Sequence, residues 1–409
     1  MRRRWLPVLF CAPISLILAC SAGGGSSLED GYVGGTGAST GKGTGTGNTN
    51  DTFDPSTSGG PDGNCSTQLA IDDDNDGFTD NEGDCNDCDA NVNPGAVEVA
   101  TPMGGGGGSG GAGGAPEPAD ENCDTQIDEA PVVCDSNLAL NDTSPVSAAN
   151  ALGLCATTTM SEKTHGIISA LWMRANGTPA TAQLNTGNLN GFGPNVLTRE
   201  GGRFAVLSSG HARTPSMPGA CGSLTCSING PGTPPPGFPA AVPNCPGASN
   251  INDDIALEVQ MRAPTNATGY SFDFSFYSFE YPEWVCTSYN DQFIALVDPP
   301  PMGAQNGNIT FDSMNNPVSV NIAFFQVCQG CPLGTAELQG TGFDVWNDAG
   351  ATGWLVTTAP VNGGEVFKIR FAIWDTGDAA WDSTVLIDNF RWIANSGTNV
   401  VVGTNPVPE

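Results

Sequence analysis

Strict alternation of apolar and polar side chains recurs along this chain and leaves it few folds. "DIALEVQM" sets Ile255, Leu257, Val259 and Met261 on one side, and "SFDFSFY" does so with Phe272, Phe274 and Phe276. "PVSVNIAF" repeats the pattern with Val318, Val320, Ile322 and Phe324, and "VFKIRFAIW" with Phe367, Ile369, Phe371 and Ile373. Period two over four to eight residues places alternate side chains on opposite faces of a pleated strand. "HGIISALWM", "RFAVLSS", "NDQFIALV" and "STVLIDNFRW" extend the set to eight or more strands, with one short helix expected in "PVSAANALGLC" before Cys155. With 55 Gly and 31 Pro in 409 residues, long helices are disfavoured and turns are plentiful. The expected fold is mainly β: a jelly-roll-like β-sandwich over residues 131–395, followed by a C-terminal tail, 396–409.

The N-terminus sets the compartment. "MRRRWLPVLFCAPISLILAC" has a basic start, an apolar stretch and a small residue before a cysteine. This reads as a secretory signal over 1–19, too short to span a bilayer as a helix. "ILAC" resembles a bacterial lipobox, which makes Cys20 the lipidated residue and the lipid the membrane anchor. Residues 20–64 are Gly-, Ser- and Thr-rich, with too few apolar groups to offset chain entropy, and read as a flexible linker. Its reach is on the order of 35–40 Å. The expected location is the outer membrane or cell surface.

The net charge is −30, and without the three N-terminal arginines 10 basic residues face 43 acidic ones. Such a charge repels nucleic acid and anionic lipid surfaces and suits calcium or cationic partners. Twelve cysteines follow Cys20, an even number that in an exported chain reads as structural disulfides, including Cys328 and Cys331 of "CQGC".

Residues 65–130 are acidic and cysteine-bearing, and contain an oxygen ladder. In "IDDDNDGFTDNEGDC", Asp72, Asp74, Asp76, the Phe78 carbonyl and Asp80 occupy calcium-loop positions 1, 3, 5, 7 and 9, and Gly77 supplies the turn. Position 12, normally a bidentate glutamate, is Gly83; Asp84 follows, with Asp87 and Asp89 close behind. "DENCDTQIDE" sets out a second ladder: Asp120, Asn122, Asp124, Gln126 and Asp128, then Glu129. Hard oxygen ligands without histidine favour Ca²⁺.

This segment resembles the MopE-type metal-binding repeat, through the DxDxDG run, Asp84 and Cys85, "VNPGA" at 92–96, Glu98, Asn122, Cys123, Asp124, Asp128 and Glu129. Thr125 stands where the repeat has glycine, and a Gly-rich insertion near 104–114 separates the halves. The resemblance implies metal binding, sometimes described as copper, whereas the ligand set here argues for calcium. A disulfide from Cys85 to Cys123 would clamp the two ladders together.

A second resemblance rests on "GGRFAVLSSGHA" at 201–212, "SFEYPEWVCTSYNDQFIALV" at 278–297, "GATGWLVTTAPVNGGE" at 350–365 and "IRFAIWDTGDAAWDSTVLIDNFRW" at 369–392. Together these look like the choice-of-anchor L domain of bacterial exported proteins, which implies display outside the cell on a β-rich scaffold. It implies no catalytic residues.

Two carboxylate clusters lie in this region. Glu280, Glu283, Asn290 and Asp291 form one; Asp375, Asp378, Asp382 and Asp388, near Trp374, Trp381 and Trp392, form the other. Carboxylates beside exposed aromatics suit a sugar or a structural Ca²⁺ shared between the clusters; turn caps and core packing are the plainer explanation. No HExxH, P-loop or dinucleotide motif occurs, and "GGSGG" lies in a glycine run rather than on a nucleophile elbow. The chain therefore reads as a non-enzymatic, calcium-binding surface protein for adhesion or glycan or protein binding. The alternative is a polysaccharide hydrolase using Glu280 and Glu283.

Overall fold

In a computed structural model, residues 68–99, 119–322, 324–345, 348–394 and 399–407 are described. The signal segment, Cys20, the linker and the glycine-rich insertion lie outside them. All described residues belong to one compact unit, Asp54–Glu409.

The fold is two antiparallel sheets. The first runs β1 (Gly166–Met173), β5 (Ile251–Arg262), β11 (Val366–Thr376), β7 (Gln292–Asp298) and β8 (Val318–Ser319), with β4 (Pro231–Gly232) on β5. The second runs β13 (Gly403–Pro406), β10 (Leu355–Pro360), β6 (Gly269–Ser278), β12 (Ser383–Ile393), β3 (Phe204–Ser208) and β2 (Thr186–Leu189), with β9 (Gly350–Ala351) on β6. The one α-helix among the described residues, α1 (Pro145–Asn150), starts with proline at N1 and a cap in which the Ser147 amide donates to Ser144 Oγ at 3.3 Å.

The alternating residues meet between the sheets. Ile255, Leu257, Val259 and Met261 of β5 and Ile369, Phe371 and Ile373 of β11 face Phe272, Phe274 and Phe276 of β6 in one core. The Phe272 and Phe371 rings meet edge-to-face at 5.1 Å. Burying each such side chain contributes on the order of 1.5–3 kcal/mol. β3 and β12 are buried on both faces, because loops bring Phe192, Leu338 and Phe343 over the outside of the second sheet against Val206, Tyr277 and Leu386. That double burial accounts for the unbroken apolar run "FAVL" in β3.

Two expectations differ in detail. Of "PVSVNIAF" only Val318 and Ser319 form strand, pairing with Phe293 and Gln292, although Val320 and Ile322 are still buried. Residues 403–406, which the sequence places in a tail, pair with Leu355–Thr358 as an edge strand of the sandwich.

The acidic segment is seated on the sandwich rather than strung before it. The Thr265 amide donates to Gly95 O at 3.1 Å and its hydroxyl to Asn93 Oδ1 at 2.7 Å. Asn266 exchanges two bonds with the Val97 backbone, at 3.1 and 2.8 Å. Lys163 pairs with Glu82 at 2.6 Å and covers the Phe78 ring. Gly95 is required there: a Cβ would lie 2.9 Å from Phe78 and 3.0 Å from Thr265.

Candidate metal centre

The first ladder folds as nested Asx turns. Asp72 accepts the amides of Asn75 (2.7 Å) and Gly77 (3.1 Å), Asp74 that of Asp76 (3.1 Å), and Asp76 that of Phe78 (2.8 Å). Asn75 and Gly77 take positive φ, 66° and 103°, which lets the loop curl with its carboxylates inward. Thr79 then leads into a single 3₁₀ turn, Asp80–Glu82, which Gly83 ends at φ 98°. So the glycine at the twelfth loop position is a left-handed stop, and the chain turns back to deliver Asp84.

Two carboxylate triads result: Asp72, Asp74 and Asp87, and Asp74, Asp76 and Asp84, each with ligand oxygens within 4.8 Å of one another. One oxygen each of Asp74, Asp76 and Asp84 is buried without a hydrogen bond. Burial, then the neighbouring Asp76 charge, pushes Asp74 up to about 6. Burial pushes Asp84 up to about 7 despite the bond from the Asn86 amide. Asp76 and Asp87 are also raised, burial being the largest cause in each. Crowded carboxylates that are costly to ionise, with bare oxygens pointing together, fit a hard dication that supplies the missing positive charge. The residues present therefore fit the metal that the repeat resemblance implies, with oxygen chemistry suited to calcium.

The second ladder makes the same turns but forms no triad. Asp120 accepts the amides of Asp124 (3.0 Å) and Thr125 (2.8 Å), and Thr125 adopts φ 76° in the absence of glycine. Glu98 holds this ladder in place by accepting the Asn122 and Asp128 amides, at 3.2 and 2.9 Å. Asn122 Nδ2 donates to Glu129 at 2.8 Å. Among the described residues the carboxylate triads leave out Asp80, Asp120, Asp124, Asp128 and Glu129, and include Asp87, which the loop template passes over; Asn122 and the Phe78 carbonyl are not carboxylates and fall outside that comparison. Its signal was its place three residues after Asp84, within one further turn. Cys85 and Cys123 are joined, tying the two ladders across 38 residues. Further disulfides link 134–155, 221–226, 245–286 and 328–331.

In the sandwich, Glu280, Asp291, Asp375 and Asp382 are buried and act on one another. Glu283 and Asp378 lie on the surface, the latter capping a turn at the Ala380 amide (3.1 Å). Asp388 lies away from the four and anchors the loop before β3 through the Arg199 amide at 2.6 Å. The aromatics are not an exposed platform: Trp374 is fully buried, and Trp381 and Trp392 pack on the cores. At the other end of β6, a cavity of about 780 Å³ is lined by Tyr270, Phe367, Pro300, Met302, Glu365 and Val401. The Tyr270 hydroxyl has no partner there.

These strands and loops also carry a family signature. Residues 205–390 match the Choice-of-anchor L domain. The Choice-of-anchor L match thus begins inside β3 and ends inside β12, taking in the buried carboxylates and most of both sheets but not the acidic segment. It suggests a surface-associated extracellular protein. No curated protein matches the chain.

Proposed function

We propose that this is an exported cell-surface protein, anchored in the outer membrane by a lipid on Cys20. Its acidic module binds Ca²⁺, and its Choice-of-anchor L sandwich binds an extracellular glycan or protein. The observation that carries the calcium reading is the pair of triads around Asp74 with bare buried oxygens on Asp74, Asp76 and Asp84. The surface reading rests on the domain match and the "ILAC" lipobox, and among the described residues no helix is long and apolar enough to cross a membrane. A bound ion would stiffen the loop from Asp72 to Asp87, whose Phe78 ring lies against Gly95 in the 93–97 turn seated on Thr265 and Asn266, so calcium would fix the module against the sandwich.

The hydrolase reading draws less support. Glu280 is buried and Glu283 exposed, and neither lines the 780 Å³ cavity. That cavity has Pro300, Met302 and Val401 at its wall, with the Tyr270 and Phe367 rings buried behind them, and its size suits ligand binding. A glycan array and a hydrolysis assay on the same sugars, each with and without Ca²⁺, separate the two. Retention without cleavage is expected; cleavage lost on Glu280→Gln would reverse the reading, and absence of any retention would remove the glycan partner.

A further inference from the structure

Four strand ends converge at the end of the sandwich away from the 780 Å³ cavity. In one sheet Ser278, the last residue of β6, pairs with Ser383, the first of β12; in the other, Gln292, the first of β7, pairs with Trp374 of β11. Glu280, Asp291, Asp375 and Asp382 flank these pairs, so each sheet contributes two acids to one place. Their exposures are 2%, 0%, 1% and 4%. Among the described residues no ion pair reaches any of them.

The hydrogen bonds are unevenly shared. Asp291 is well supplied, by the Thr376 amide (2.9 Å) and the Ser383 hydroxyl (2.6 Å). Asp382 Oδ2 accepts the Cys226 amide at 2.9 Å, an amide held in place by the Cys221–Cys226 disulfide. Asp382 Oδ1 and both oxygens of Asp375 make no hydrogen bond of good geometry, although Ser209 and Asp291 stand beside Asp375. Ser209, the nearby hydroxyl, is directed instead at Ser383 O at 3.3 Å. The chain also makes room for this carboxylate: a Cβ on Gly210 would lie 1.7 Å from Asp382 Oδ2. Burial is the largest cause raising all four acids, to about 10 for Glu280 and about 7 for Asp291 and Asp382, and well up for Asp375.

We propose that Asp291, Asp375 and Asp382, with Glu280 beside them, form a second Ca²⁺ site, one that fastens the two sheets of the Choice-of-anchor L domain together. Three bare carboxylate oxygens among four buried acids need positive charge as well as partners, and a hard dication provides both. Among the described residues only the module brings three carboxylates' oxygens within 4.8 Å of one another, so here at most two of the acids would ligate the ion directly, the others would reach it through water, and main-chain oxygens would complete the shell. Ca²⁺ accepts six to eight oxygens and tolerates such mixed shells. The alternative is a cluster of shared protons with no metal.

The test uses the full chain with disulfides intact. In an Asp74→Asn/Asp84→Asn background, equilibrium dialysis should still find one Ca²⁺ per chain. Tb³⁺ should give tryptophan-sensitised emission, because Trp374 and Trp381 adjoin Asp375 and Asp382 while residues 65–130 contain no tryptophan. Adding Asp375→Asn, or separately Asp382→Asn, should remove that ion and cut the Tb³⁺ emission at least tenfold. A chain with the module substitutions that takes up no Ca²⁺ at about 10 mM and gives no sensitised emission overturns the site. So does Asp375→Asn raising Tm equally with Ca²⁺ and with EDTA, as a proton-sharing cluster would. Failure of the module reading shows separately, as the same ion count in the parent and the Asp74→Asn/Asp84→Asn chain.

Discussion

Asp84→Asn is the sharpest probe of the module. The substitution keeps the side chain's shape and its bond from the Asn86 amide, but removes the charge facing Asp74 and Asp76. Extracellular calcium modules bind with Kd of about 10⁻⁴–10⁻³ M, so about 10 mM Ca²⁺ is roughly 10–100 times Kd. Mass action then stabilises the folded chain by about 1.4–2.7 kcal/mol. At roughly 2–4 °C per kcal/mol, less for a chain of this size, the expected rise in Tm is a few degrees. The variant should lose that rise. In EDTA the order should reverse, because burial and like charge hold Asp84 up to about 7 and the asparagine relieves the strain. Differential scanning calorimetry of both chains in 10 mM Ca²⁺ and in EDTA measures all four values. An unchanged calcium shift in Asp84→Asn, or a variant less stable in both buffers, would refute the role assigned to this carboxylate.

Asp74 and Asp84 are raised to about 6 and about 7, so the folded chain binds more protons than the unfolded one between about pH 4 and 7. With chelator, stability should therefore fall as pH rises through that window, while calcium affinity rises from pH 5 to 8; calorimetric titrations at several pH values check both. Replacing Cys85 and Cys123 with alanine opens a loop of 38 residues, which should cost the module about 3.9 kcal/mol on the chain-entropy estimate, read as faster proteolysis between 68 and 129 with the sandwich left intact. Phe371→Ala, at the centre of the inter-sheet core, should cost about 3–5 kcal/mol in denaturant melts. Thr265→Val removes the hydroxyl's bond to Asn93 and should speed amide exchange in residues 93–97 more than in β5.

Short-range pattern encodes the elements and which of their faces are buried. Alternation in β5, β6 and β11 marked the faces of the core, because pleating puts every second side chain on the same side. Serial aspartates around Gly77 marked an oxygen-lined turn, because Asx bonds reach only two to five residues. In "PVSVNIAF" the same alternation reported burial correctly for Val318, Val320 and Ile322 but not strand length: pairing needs a neighbour, and β7 offers only Gln292 and Phe293. Tertiary structure alone decided three things. It placed Gly403–Pro406 on β10, which local composition cannot foretell. It seated the acidic module on Thr265 and Asn266, some 170 residues away. And it drew Glu280, Asp291, Asp375 and Asp382 into one buried pocket, because antiparallel crossing brings distant strand ends together and strips them of water, and no window along the chain contains that loss of solvent.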